Sequence, residues 1–560
     1  MDEIFEFEKS CDKAIDNLNL WQKPLRSVLT GYMMMADGLF FGGRFGRGIT
    51  RDQYKAERIL ARLSYLAPHL DKCPRDLLKS GQKAMEAFDL SDGAEVQEAM
   101  MYAHFCEIMP EFRNKYYDVR EGEGDYYFSH KSDEFSDCEV RDVLLTELSL
   151  GHDTDRPKKI PESAFQRISN QHPHKDVSAY ANGAKVNYEL HCSSFSEPTY
   201  LPDEAFNDCF GFSATSFRKV RAALWALADL LLGLSAFYEM SARYSVKEAH
   251  WQWRVVDCIA PTFRWDWLVS FVRVLTGVDR REIEQVISFL CSMEQNRISA
   301  FSGNGYLTPL FQLGDFVLTS PYLLRMMPSM RNMLYSLNKV DPEHFSKEVA
   351  QHLEAELLKE FFDVCEKVPN LNSKSNVDWV AEGRSGEIDA ILFDDDVRFV
   401  LAIQAKAAIP PEGARMTRNV EARTIEAVDQ IASFSRLSRE NQRGILSKEL
   451  GYTHEEFVVS HGILTRSGLG TRKAWRESAE ISIFNVGILK YSHSNVPLSC
   501  ETLLCNPRLL TSDAIQTLVD NYFVCWEDGV VPLQGRNLHI PLMKLKDDML
   551  QDLRVRISNL

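Results

Sequence analysis

The chain has 560 residues, 45% hydrophobic and 26% charged, and carries a formal net charge of −16. That length accommodates two to four domains that each bury a core, and the composition is that of an ordinary globular protein. The acidic balance excludes a protein that coats nucleic acid with its whole surface, but leaves room for a local basic channel.

In chain order, apolar spacing of three and four predicts helices over Tyr54–Leu66, Leu77–Phe88, Glu95–Ile108, Ser216–Met240 and Trp267–Leu275. Residues 120–125 and 151–174 read as loops, which puts a sub-boundary near 150–210. The most apolar segment, Ala222–Met240, contains Asp229 and reads as a buried helix, so no membrane is expected. The glycine-rich stretch Gly42–Gly48 lacks the Gly-Lys-Ser/Thr end of a nucleotide loop and reads as a turn. Trp251, Trp253, Trp265 and Trp267 are assigned to core or interface, and His172 and His174 to a surface loop. Tyr306–Leu324 reads as a strand-bearing connector. Residues 1–340 are therefore expected to form a mainly helical sensing or regulatory region. The twelve cysteines contain no Cys-x-x-Cys pair, and the start Met1-Asp2-Glu3 is acidic where a secretory leader is basic. Reduced, mostly buried thiols and a cytoplasmic location are expected.

Residues 386–393 and 399–406 are apolar and β-branched, separated by the acidic run Asp394-Asp395-Asp396, and read as a β-hairpin. Side-chain alternation puts Glu387 with Asp389 on one side of its strand, and Gln404 with Lys406 on one side of the next. Pairing the strands gathers a carboxylate, an amide oxygen and an ammonium. A hard divalent cation takes oxygen ligands and retains waters, so Asp389 and Gln404 are candidate ligands. Lys406 is placed to orient or help deprotonate a water and to offset charge on a phosphoryl transition state.

Asp389 with Gln404-Ala405-Lys406 resembles the PD-(D/E)xK phosphodiesterase superfamily in its Mrr-like Gln-x-Lys form. The resemblance spans residues 341–492 and implies an α/β restriction-endonuclease-like domain of αβββαβ order, giving an α+β multidomain chain with 493–560 as an extension. It also implies a glutamate on the preceding helix as a further metal ligand. Glu354 fits best, beside Leu357, Leu358 and Phe361, with Glu356 and Glu348 as fallbacks. Strands are expected at 377–380, 457–464 and 481–486, and a helix over 423–437.

The implied function is a metal-dependent deoxyribonuclease using Mg²⁺ or Mn²⁺ held by Glu354, Asp389 and Gln404, serving antiviral defence, restriction or DNA repair. RNA is open to the same chemistry. The alternative is an inactive nuclease-fold scaffold that binds nucleic acid or protein. From Arg398 to Arg476 thirteen basic residues face eight acidic ones, and Arg415, Arg418, Arg472 and Lys473 are candidate phosphate contacts. No ATPase motif occurs, so translocation would require a partner protein. Enzymes of this type often act as dimers.

Overall fold

A computed structural model describes residues 2–44, 59–78, 80–88, 90–149, 152–153, 158–169, 176–196, 199–244, 250–292, 297–394, 396, 398–410, 414–451, 457–466, 468, 481–546, 549 and 552. The protein is a mixed α and β structure. In the front part the principal helices are α1 (Leu90–Arg113), α2 (Asp133–Ser149), α3 (Val177–Ser194), α4 (Ala214–Tyr244), α5 (Trp265–Thr276) and α6 (Met330–Val340). All but α2 share one large apolar core, which begins at Ile4 and takes in Leu353. The expected helices at 95–108, 216–240 and 267–275 lie inside α1, α4 and α5. Of Leu77–Phe88 only Gly81–Glu86 is α-helical, and the end of 54–66 is a 3₁₀ turn at Leu63–Leu66.

Helix α4 contains a window long and apolar enough to cross a membrane, but 78% of that window is buried inside the fold. Asp229, buried on it, accepts from His191 Nε2 on α3 at 2.6 Å and lies 3.7 Å from Arg325. A carboxylate can sit in so apolar a helix because it is paired. Trp267 is likewise core, stacked between Phe263 and Phe271. Residues 45–48, His172 and His174 lie outside the described residues. All twelve cysteines are free thiols, six of them buried.

The front part holds strands as well as helices. Strands β1 (Tyr117–Gly122) and β2 (Asp125–His130) form a hairpin, so the loop expected at 120–125 is its two-residue turn, with φ 55° at Glu123 and 87° at Gly124. Positive φ at both turn residues matches the right-handed twist of the flanking strands. Four further strands, β3 (Thr262–Arg264), β4 (Cys291–Ser292), β5 (Leu310–Leu313) and β6 (Phe316–Thr319), pair in the order β3-β6-β5-β4. Tyr306–Leu324 bears strands as expected, but they are part of the main core, where Leu310, Phe311, Leu313, Val317 and Leu318 are buried.

The back part begins with α7 (Ala350–Cys365), continuous with a short π-helical segment at Phe345–Val349. Then come β7 (Leu371–Ala381), β8 (Arg384–Asp394), β9 (Phe399–Lys406), α8 (Ala414–Ser435), α9 (Arg439–Leu450), β10 (Val458–Thr465), β11 (Ser482–Asn485), α10 (Val486–Asn495) and α11 (Pro507–Tyr522). These five strands form one sheet of order β11-β10-β9-β8-β7, antiparallel across β7-β8-β9 and parallel across β9-β10-β11. The strands expected at 377–380, 457–464 and 481–486 are present, the first as part of an eleven-residue strand. Whereas β7 and the start of β8 are largely exposed, the middle of the sheet is buried on both faces. On one, Ile391, Val400 and Ala402 pack on Ala427, Val428 and Ile431 of α8. On the other, Ala390, Leu392, Leu401 and Ile403 pack on Leu357 and Phe361 of α7.

The cores do not respect the division read from sequence. Val140, Leu144, Leu145 and Leu148 of α2 and Ala514, Leu518 and Tyr522 of α11 belong to the α8-side core. The last hairpin, β12 (Phe523–Leu533) with β13 (Arg536–Leu545), joins β1 and β2 in a sheet of order β1-β2-β13-β12, with β13 parallel to β2.

Candidate active site

Helix α7 buries Leu353, Leu357, Phe361 and Val364, which follow one another at spacings of three and four. Glu354 borders that face, its side chain 39% exposed. Glu356 pairs instead with Lys359, and Glu348 lines a separate cavity of about 370 Å³ with Asp208, Cys209, His344 and His352.

The β8 strand is regular on either side of Asp389 and irregular at it. Ile388 pairs with Val377 and Ala390 with Ser375, while no pair joins 389 to 376, where Asn376 takes φ 54°. Ile388 packs in the α8-side core and Ala390 in the α7-side core, so the strand turns over at the carboxylate. A β-strand normally alternates faces at every residue. The break frees Asp389 from that alternation and directs it at β9.

On β9, Gln404 Nε2 donates to Asp389 Oδ2 at 2.5 Å, and the Ala405 backbone N–H donates to the same oxygen at 2.6 Å. Lys406 Nζ lies 3.4 Å from Glu354 Oε1, its side chain 11% exposed. All four expected residues therefore come together, two from adjacent strands, one more from β9 and one from α7. Lysine at the end of an apolar strand is tolerable here because Glu354 partners it.

Burial dominates the electrostatics of the site. Burial pushes the Asp389 carboxyl up to about 6, against the Ala405 N–H and Lys406, which favour the ionised form, and with Glu354 and Glu387 adding repulsion. Burial also raises Glu354, opposed by Lys406, with Glu426 adding to the rise and Arg423 reducing it. Gln404 is 4% exposed, and its Oε1 is a buried acceptor with no hydrogen-bond partner among the described residues. Burying such an oxygen without a partner is costly.

A divalent cation fits these groups. It would draw on Asp389, Glu354 and the Gln404 oxygen, and its charge would favour the ionised form of the two carboxyls that burial disfavours. Among the described residues no three His, Cys, Asp or Glu side chains are gathered as a metal site; the set here has two carboxylates and an amide.

Of the candidate phosphate contacts, Arg415 and Arg418 lie on α8, and nothing is described of their side chains; Arg472 and Lys473 lie outside the described residues. Arg423 pairs with Glu426 at 2.8 Å on the exposed surface of α8. His461, near in sequence, is structural: its Nε2 lies 3.2 Å from Gln442 Oε1 and burial lowers its pKa to about 4.

Two contributors escaped the sequence. The Ala405 N–H is a backbone donor with no sequence signature. Glu360, six residues after Glu354 on α7, accepts from Arg466 Nη1 at 3.1 Å and Lys490 Nζ at 2.6 Å, tying α7 to the end of β10 and to α10. Arg466 also covers Tyr200 of the front part, 5.0 Å from the ring centroid.

No protein-family model, no curated protein and no solved structure matches the chain.

Proposed function

We propose that the protein is a metal-dependent nuclease that hydrolyses phosphodiester bonds in DNA, its back part being a restriction-endonuclease-like domain. The order helix, three antiparallel strands, helix, parallel strand supports that fold, being the order the resemblance implies. The observation that carries the function is a buried oxygen on Gln404 with no hydrogen-bond partner among the described residues, next to the Asp389 carboxyl, whose pKa burial raises, with Lys406 and Glu354 beside them.

Asp389, Glu354 and Gln404 would hold Mg²⁺ or Mn²⁺, which when bound supplies Lewis acidity and lowers the pKa of a coordinated water. Asp389 is fixed as an acceptor by the Ala405 N–H and Gln404 amide, both of which donate to Oδ2 and neither to Oδ1. Once Glu354 is engaged elsewhere, Lys406 is free to hydrogen-bond an attacking water or a non-bridging phosphate oxygen and to stabilise the charge that grows there. As the water oxygen bonds to phosphorus the bond to the leaving sugar oxygen breaks; the water gives its proton to solvent, and the leaving oxygen takes one from solvent.

The test is incubation of the full chain with linear, circular and single-stranded DNA, and with RNA, in Mg²⁺ or Mn²⁺. Wild type is expected to cut DNA, and Asp389→Ala and Lys406→Ala to lose about 10²-fold or more of that activity while still binding it. A wild-type chain that binds DNA but cuts neither nucleic acid with either metal leaves the scaffold reading in its place.

A further inference from the structure

The four site residues are referred to two different cores. Asp389 and Gln404 are held to one another across adjacent strands of the sheet. Glu354 and Lys406 are held from the front part. Val349 and Leu353, flanking the start of the helix that carries Glu354, are buried in the front core, and so is Ile409, three residues after Lys406, with Ala407 packed against it. The chain leaving Lys406 is gripped directly: Arg331 on α6, 2% exposed, donates from Nε to the Pro410 carbonyl at 3.0 Å. Its guanidinium lies over the Tyr335 ring at 5.8 Å and donates to Asn332 Oδ1 at 2.5 Å, while Asn332 donates to the Met327 carbonyl at 2.8 Å. That network fixes the planar fork, which lets one nitrogen set the height of a carbonyl four residues from the lysine. Helix α6 also leads through Asp341 into the segment that carries Glu354. Both halves of the Glu354–Lys406 pair are thus measured from the same short helix.

We propose that Arg331 is a positioning residue for the nuclease site: by holding the Pro410 carbonyl it sets where Lys406 meets Glu354, so that the state of the front helical region is transmitted to hydrolysis. The inference rests on the nuclease reading. Three residues separate Lys406 from the held carbonyl, and Ile409 between them is anchored, so little slack absorbs a shift of α6. Displacing a catalytic group by about 1 Å can cost about 10²-fold in rate without touching substrate affinity.

The test uses the full chain with Arg331→Met, which keeps length and loses every donor, Arg331→Lys, and Arg331→Ala with and without added guanidinium. Amide exchange is read without DNA or metal, and steady-state cleavage with both. In Arg331→Met, exchange at residues 407–409 should rise about tenfold while 390–393 on β8 keep wild-type protection. The kcat should fall about tenfold or more with KM within about twofold, and guanidinium should restore part of it in Arg331→Ala. Unchanged exchange at 407–409, or raised exchange with unchanged kcat, overturns the proposal while the nuclease reading stands. If Arg331→Met loses protection across the sheet as well, Arg331→Lys decides: a lowered kcat with an intact sheet supports the proposal, and an unchanged kcat overturns it. A wild-type chain that cuts no nucleic acid removes both readings.

Discussion

At the scale of single residues, Asp389 makes a pH signature that a solvated aspartate lacks. Its folded pKa of about 6 stands above the ordinary 3.8, so the metal-free fold binds that proton more tightly than the unfolded chain does. The resulting stability is complete below about pH 4 and is lost as pH rises through about 6, by ~3 kcal/mol at most. Asp389→Asn is expected to remove that part of the pH dependence in a denaturation series without metal, and an unaltered profile would show that the carboxyl titrates normally. Metal must displace the proton, so cleavage should fall on the acid side of about pH 6, with the limb moving as Mg²⁺ is raised. Gln404→Glu tests the amide. It adds a charge beside Asp389 and removes the Nε2 donor, so the metal-free protein should become less stable while Mg²⁺ binding, followed by calorimetry, tightens about tenfold. Gln404 and Lys406 were legible in sequence because alternation sets them on one side of β9, and Glu354 because helix spacing places it on a border; Asp389 was legible as a carboxylate in the hairpin, but the break in alternation that turns it toward β9 was not. Arg331 was not, since nothing local marks an arginine whose partner is a carbonyl 79 positions away.

At the scale of elements, three hairpins close through two-residue turns ending in glycine: Glu123-Gly124, Glu382-Gly383 and Gln534-Gly535, all six residues at positive φ. The β7-β8 hairpin was partly read, as a short strand before the site, and the other two were missed. Glu-Gly and Gln-Gly lack the asparagine or aspartate that usually announces such a turn, and the flanking residues show one apolar face only after pairing. Gly383→Ala meets no atom within 4 Å, so its cost is the backbone alone, about 1 kcal/mol by chemical denaturation with cleavage retained. A loss several times larger would mean the tip is packed against something else. Gly386 is different in kind: an added Cβ there meets the Trp379 ring at 2.9 Å, so the glycine lets a tryptophan on the neighbouring strand lie across β8 three residues before Asp389.

At the scale of the whole molecule, the sequence suggests a cut at 340 and another at 492, whereas the apolar contacts run across both. Helix α2 and helix α11 complete the core beneath α8. A fragment of residues 341–492 therefore loses Leu144, Leu145 and Leu148 of α2 and Ala514, Leu518 and Tyr522 of α11 from this core, and is expected to aggregate or to melt well below the full chain in a thermal scan. A soluble, cooperatively folding fragment would show that α2 and α11 only decorate a self-sufficient unit. Hydropathy periodicity reveals which face of α2 is apolar but not which distant surface it meets, and that is why the boundaries misled. The pairing of β13 with β2 joins residue 539 to residue 127. A ribosome delivers the first hairpin hundreds of residues before its neighbour, so during synthesis β2 waits with an open edge, and a nascent chain halted early exposes a sticky strand. Completion of the β12-β13 hairpin is then the event that seals this sheet, and the sheet is assembled only once residues 523–545 have been made.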